Sequence, residues 1–174
     1  LSAILTHYPD EAQALQDVMA PLAAARADEV VVANGSTELI TSLCRDLRGP
    51  LVTPVPTFGR WTDLPIDFGE RLVPVLREPA PGAVLAPEAI VAAARANGAS
   101  AVAVCNPENP DGSMFDAGQI AWLIRELDDI DLVVIDESFI DFSGRESATQ
   151  AVLAAPNAVL VKSLGKSLGW HGLR

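Results

Sequence analysis

Ala101-Val102-Ala103-Val104-Cys105 is an unbroken apolar run, and Asn106-Pro107-Glu108-Asn109-Pro110-Asp111-Gly112 follows it at once. A run of this length with no polar alternation predicts a strand covered on both faces. The two X-Pro bonds after it make a stiff polar loop at the strand end. Similar apolar runs lie on either side, at Glu29–Ala33, Leu51–Thr53, Arg71–Leu76, Leu132–Ile135 and Ala158–Val161. Between them, helical periodicity predicts helices near Asp10–Ala27, Thr37–Leu47, Pro87–Asn97, Asp116–Asp128 and Arg145–Ala154. Alternation of this kind predicts an α/β fold, three layers deep, around a mostly parallel sheet. In the helix Asp116–Asp128, Asp116 is the expected cap, and Ile120, Leu123, Ile124 and Leu127 form the expected core face.

Composition narrows the function classes. The 174 residues are 49% hydrophobic and 20% charged, which fits a globular core. A net charge of −11 with no basic cluster argues against a nucleic-acid partner. No apolar stretch is long enough for a membrane helix, and residues 1–10 lack the features of a signal peptide, so the expected location is the cytoplasm. Cys44 and Cys105 read as small buried hydrophobes, and His7 and His171 as surface or structural residues, so no metal site is expected. Only Lys162 and Lys166 are lysines.

In parallel sheets, functional groups gather at the C-terminal strand ends. There the sequence places Asn34-Gly35-Ser36-Thr37-Glu38, Pro54-Val55-Pro56-Thr57-Phe58-Gly59, the Asn-Pro loop, Asp136-Glu137-Ser138-Phe139 and Lys162-Ser163-Leu164-Gly165-Lys166. Gly35-Ser36-Thr37 suits a phosphate at a helix N-terminus, but taken alone it reads better as an ordinary cap by Ser36 or Thr37 with help from Glu38. Gly165-Lys166-Ser167 lacks the upstream glycine of a nucleotide loop, since Leu160 stands there. No G-x-G-x-x-G follows any strand. Asp136, ending an apolar strand, must find a partner: a metal, a helix cap or a buried cation.

Taken in order, Asn-Pro-x-Asn-Pro-x-Gly, an apolar strand ending Asp-Glu-x-Phe, and Ser-x-x-Lys closing on Gly172-Leu173-Arg174 resemble fold-type I pyridoxal-phosphate (PLP) enzymes of aminotransferase class I/II. The resemblance runs from about Tyr8 to Arg174 and is greatest to the threonine-phosphate decarboxylase and histidinol-phosphate aminotransferase branch. It implies the PLP-binding large domain of the aspartate aminotransferase fold, here residues 28–174, after an N-terminal segment and helix, residues 1–27. It also implies a small C-terminal domain beyond Arg174 that this sequence does not contain.

The resemblance further implies a role for each matched residue. Lys166 is the Schiff-base lysine and proton shuttle; Asp136 pairs with the pyridinium nitrogen. Asn109 bonds the phenolic oxygen and Phe58 stacks on the ring. Ser36, Thr37, Ser163 and Arg174 bind the phosphate, with Tyr8 reaching across a homodimer. Aminotransferases usually carry Tyr where Phe139 stands, and Phe139 resembles the threonine-phosphate decarboxylase branch of cobalamin biosynthesis. The expected substrate is an amino acid or amino-acid phosphate. The alternatives are a histidinol-phosphate-type aminotransferase and, from another class, a non-catalytic PLP-binding or interaction domain.

Overall fold

A computed structural model describes residues 12–78, 85–167 and 169. The chain divides into two units, Leu1–Ala33 and Asn34–Arg174. In the first, helix α1 spans Ala12–Ala23 and a 3-10 turn spans Ala27–Glu29. Ala24 takes a positive φ of 54°, which ends the helix short of the expected Ala27. Gln16 Nε2 donates to the Val30 carbonyl at 2.6 Å. The strand expected over Glu29–Ala33 is not formed: after the 3-10 turn the backbone is irregular and Val31 is exposed. The Val-rich run has the composition of a strand but pairs with no strand among the described residues, and pairing is what makes one.

The second unit alternates strand and helix: α2 (Ser36–Arg45), β1 (Leu51–Val55), α3 (Arg60–Asp67), β2 (Leu72–Leu76), α4 (Pro87–Asn97), β3 (Ala101–Cys105), α5 (Ala117–Glu126), β4 (Leu132–Asp136), a 3-10 turn (Ile140–Phe142), α6 (Thr149–Leu153), β5 (Ala158–Val161) and α7 (Leu164–Ser167). The strands form one sheet in the order β2-β1-β3-β4-β5, every pairing parallel. Helix α3 was not expected from the sequence. Pro65 lies inside it, and only Trp61, Leu64 and Pro65 are buried. The last predicted helix is shorter than expected and begins at Thr149.

Alternate residues of each strand feed opposite layers, as the pleat requires. Val52, Val102, Val104, Val133 and Ile135 pack with Ile90 and Val91 of α4, Ile120, Leu123 and Ile124 of α5, and Val152 of α6. Leu51, Ala101, Ala103, Cys105, Val134 and Val161 pack on the other face with Ile40 and Cys44 of α2 and Trp61 and Leu64 of α3. This is the three-layer α/β/α arrangement the sequence predicts. Asp116 caps α5 as expected: Oδ1 accepts from the Gln119 N–H at 2.8 Å, and Gln119 Oε1 accepts from the Asp116 N–H at 2.9 Å. Both cysteines are buried, and burial pushes the Cys44 thiol up to about 11 and raises Cys105 further.

Register aligns the ends that matter. Cys105 lies opposite Asp136, and Asp136 opposite Val161. The pairing continues one step beyond the strands, with the Asn106 N–H on the Asp136 carbonyl (2.9 Å) and the Glu137 N–H on the Val161 carbonyl (2.8 Å). The polar segments after β3, β4 and β5 are thereby held side by side.

Candidate active site

Asp136 ends β4 and is buried to 2% exposure. Its Oδ1 accepts from the Ser138 N–H at 3.0 Å, and its Oδ2 accepts from the Trp61 indole Nε1–H at 2.9 Å. Trp61, also buried, reaches it from α3, the helix directly after the Phe58 loop. Among the described residues Asp136 has no cationic partner. A buried carboxylate with two neutral donors and spare lone pairs fits a cationic ring nitrogen. Trp61→Phe removes one hydrogen bond to a charged group and is expected to cost about 2 kcal/mol of stability by urea denaturation. A change within about 0.5 kcal/mol would mean that this bond carries nothing.

Lys166 lies on α7 beyond β5. Its Nζ stands 4.2 Å from the centre of the Phe139 ring and 5.4 Å from that of Phe58. The amine thus lies over two aromatic rings contributed by the segments after β4 and β1. Lys162 is differently placed: its Nζ is 3.2 Å from Glu137 Oε2, a carboxylate whose side chain is fully buried. Glu137 also accepts from Ser147 Oγ and, at 2.7 Å, from the Ala148 N–H. Lys162 is therefore a structural partner of the β4 end, while Lys166 points at the rings.

The turn before α2 differs in detail from the expected cap. Gly35 occupies the cap position with φ of 85°, and neither Ser36 nor Thr37 caps. Both fall in the first helical turn instead, Ser36 buried and Thr37 exposed. Glu38 Oε2 does help, accepting from the Asn34 N–H at 2.8 Å. Ser163 is half-buried at the start of the Lys166 turn, and its carbonyl accepts from the Lys166 N–H at 3.1 Å. Asn109 and Phe58 are half-buried. Tyr8 and Arg174 lie outside the described residues.

The structure therefore brings Lys166, Phe58 and Phe139 together and links Asp136 to the same loop–helix segment through Trp61. Sequence reasoning missed Trp61, Glu108 and the Lys162–Glu137 pair. A charged residue between two prolines directly after a buried strand was the available signal for Glu108. Nothing local signals a tryptophan reaching an aspartate 75 residues away.

Glu108 is 6% exposed, and burial pushes its carboxyl up to about 7 despite the Thr57 hydrogen bond and nearby Arg77. An unfolded glutamate titrates near about 4.3. Between those values the folded chain holds a proton the unfolded chain has lost, so stability falls as pH rises through this window. Glu108→Gln is neutral throughout. From acid to mildly alkaline pH it is expected to gain about 3 kcal/mol relative to the wild type, read by denaturation at both ends. A pH-independent difference would refute this.

Among the described residues no cluster of His, Cys, Asp and Glu is placed to hold a metal, and no helix is long and apolar enough to cross a membrane. The family model for aminotransferase class I and II matches residues 5–174. The chain is 35% identical to the CMP-5'-(3-aminopropyl)phosphonate synthase of Streptomyces rubellomurinus, over 99% of this chain and 27% of that protein. It is 34% identical to the histidinol-phosphate aminotransferase of Xanthomonas oryzae, over 95% of this chain and 47% of that protein. The solved structure of a decarboxylase from Sulfurospirillum multivorans superposes with a TM-score of 0.85 at 27% identity, covering 99% of this chain and 46% of that one. The chain thus spans at most about half the length of these relatives. With the match extending over nearly all of its length, the chain belongs to the aminotransferase class I and II family.

Proposed function

We propose that this chain is the cofactor-binding part of a PLP-dependent enzyme acting on an amino-acid phosphate, with threonine-phosphate decarboxylase-like chemistry. The observation that carries the reading is the Lys166 amine held over two aromatic rings, at the C-terminal end of the sheet where Asp136 is buried with only neutral donors among the described residues. When bound, PLP supplies an electron sink for charge developing at the substrate's α-carbon.

Each residue then has a task. Asp136 provides the anion that keeps a ring nitrogen protonated, and Trp61 and Ser138 hold that anion in place. Phe58 covers one face of the ring and excludes water from it. Asn109 donates to the phenolic oxygen. Ser36, Thr37 and the first-turn N–H groups of α2 take the phosphate, with Ser163, Arg174 and the Tyr8 of a second subunit completing the dianion site. Lys166 is the single amine free to move a proton at the α-carbon, because Lys162 is committed to Glu137. A homodimer in the cytoplasm, serving cobalamin biosynthesis, is part of the same reading.

Phe139 favours decarboxylation over amino transfer within this reading. It offers Lys166 a ring face at 4.2 Å where a tyrosine would offer a hydroxyl. The histidinol-phosphate aminotransferase relative supports the second reading, transamination. A non-catalytic PLP-binding or interaction domain is the third. Incubating the intact protein and PLP with threonine phosphate separates them. CO2 release independent of any oxo acid is the expected result. Glutamate formed in step with consumption of an amine and 2-oxoglutarate would overturn it in favour of the second. A bound-cofactor absorption band without turnover of any amine would favour the third.

A further inference from the structure

The loops after β1 and β3 are tied together twice. Arg77, following β2, donates through Nη1 to Asp111 and to Ser113 Oγ, the latter at 3.0 Å, and through Nη2 to the Pro56 carbonyl. Alongside, Glu108 Oε1 accepts from Thr57 Oγ1 at 2.7 Å and from the Asn109 N–H at 3.0 Å. Thr57 directly precedes Phe58, and Asn109 is itself a site residue. The Arg77 tie holds the outer parts of the two loops. The Glu108 tie falls at Asn109 and at Thr57, the neighbour of Phe58.

We propose that Glu108 is a positioning residue: one carboxyl oxygen, taking a hydrogen bond from each loop, fixes Phe58 and Asn109 as a unit. This rests on the cofactor roles proposed above for those two residues. The physical case is economy of contact. Phe58 and Asn109 stand on different loops, and displacements of about 1 Å between groups acting on one ligand cost large factors in binding or rate. A single buried acceptor shared by the two loops removes that freedom.

The groups facing Glu108 are the Arg77 guanidinium after β2, Asp111 on its own loop, the Cys105 thiol of β3 and the Thr57 hydroxyl after β1. A proton on Oε2 leaves both lone pairs of Oε1 in place, so the tie holds in either charge state. Glutamine retains the same acceptor oxygen; alanine does not.

The test uses Glu108→Ala, Glu108→Gln and Thr57→Val in the intact protein, the last removing only one hydroxyl should the alanine variant fail to fold. Two readouts are taken: deuterium exchange of segments 55–59 and 106–113 without cofactor, and PLP affinity by titration. Glu108→Ala is expected to loosen both segments together and to weaken PLP binding about tenfold, with Thr57→Val acting in the same direction. Glu108→Gln should hold both readouts near wild type. Loosening of 106–113 alone, or looser loops with unchanged PLP affinity, would overturn the proposal. Absence of PLP uptake by the wild type would instead overturn the cofactor reading and the positioning role with it. The exchange arm would then report only on the tie itself.

Discussion

Replacing Lys166 with alanine in the intact protein is expected to abolish the visible band of bound cofactor and to cut turnover by more than about 10³-fold. The size follows from the loss of the two roles proposed for Lys166: the amine that joins the cofactor's carbonyl and the group that moves a proton at the α-carbon. General acid–base catalysis alone contributes about 10²- to 10⁴-fold. Lys162 cannot substitute, since its Nζ lies 3.2 Å from the buried Glu137 carboxylate and would have to abandon that charge uncompensated. Absorbance of the PLP-loaded variant and its steady-state rate check the prediction together. A variant that keeps both would show that another group acts as the nucleophile.

Asp136→Asn is expected to have the next largest effect. As a carboxylate, Asp136 accepts from Ser138 on one oxygen and from Trp61 on the other. An asparagine has one oxygen, so its NH₂ must face one of these N–H donors, leaving a buried donor unsatisfied at a cost of about 1–3 kcal/mol. In the proposed cofactor reading the negative charge facing the ring nitrogen is lost as well, and breaking a buried charge pair costs about 3–5 kcal/mol. Turnover should therefore fall by about 10²-fold or more, with PLP affinity falling too. Rates within about threefold of wild type would remove Asp136 from the cofactor's charge balance.

Strands that are apolar on both faces were legible, and their residue types account for it. The predicted bounds of β3, β5 and α4 coincide with those observed, because continuous Val and Ala runs and a proline at the first helical turn are strong local signals. Helix α3 was not legible, since Pro65 and a single buried edge mask its period. Glu29–Ala33 misled for the opposite reason: strand composition is local, whereas the partner a strand needs is not. The same division runs through the site. Lys166, Asp136, Phe58 and Asn109 were candidates that the family resemblance picked out, and of these the structure brings Lys166 and Phe58 together. Thr57 with Glu108, 51 residues apart, and Trp61 with Asp136 could not be paired from the sequence, because only the packing of loops and a helix around the sheet brings them together.

The Lys162–Glu137 pair also bears on how the protein can be labelled. The sequence has only two lysines, and the Nζ of one lies 3.2 Å from a carboxylate that solvent does not reach. A lysine must bring its nitrogen up to a carbonyl carbon, and Lys162 would have to leave the buried Glu137 carboxylate unpaired to do so. Small aldehydes trapped by hydride reduction should therefore mark the folded chain at a single side chain. Unfolding should expose a second reactive lysine.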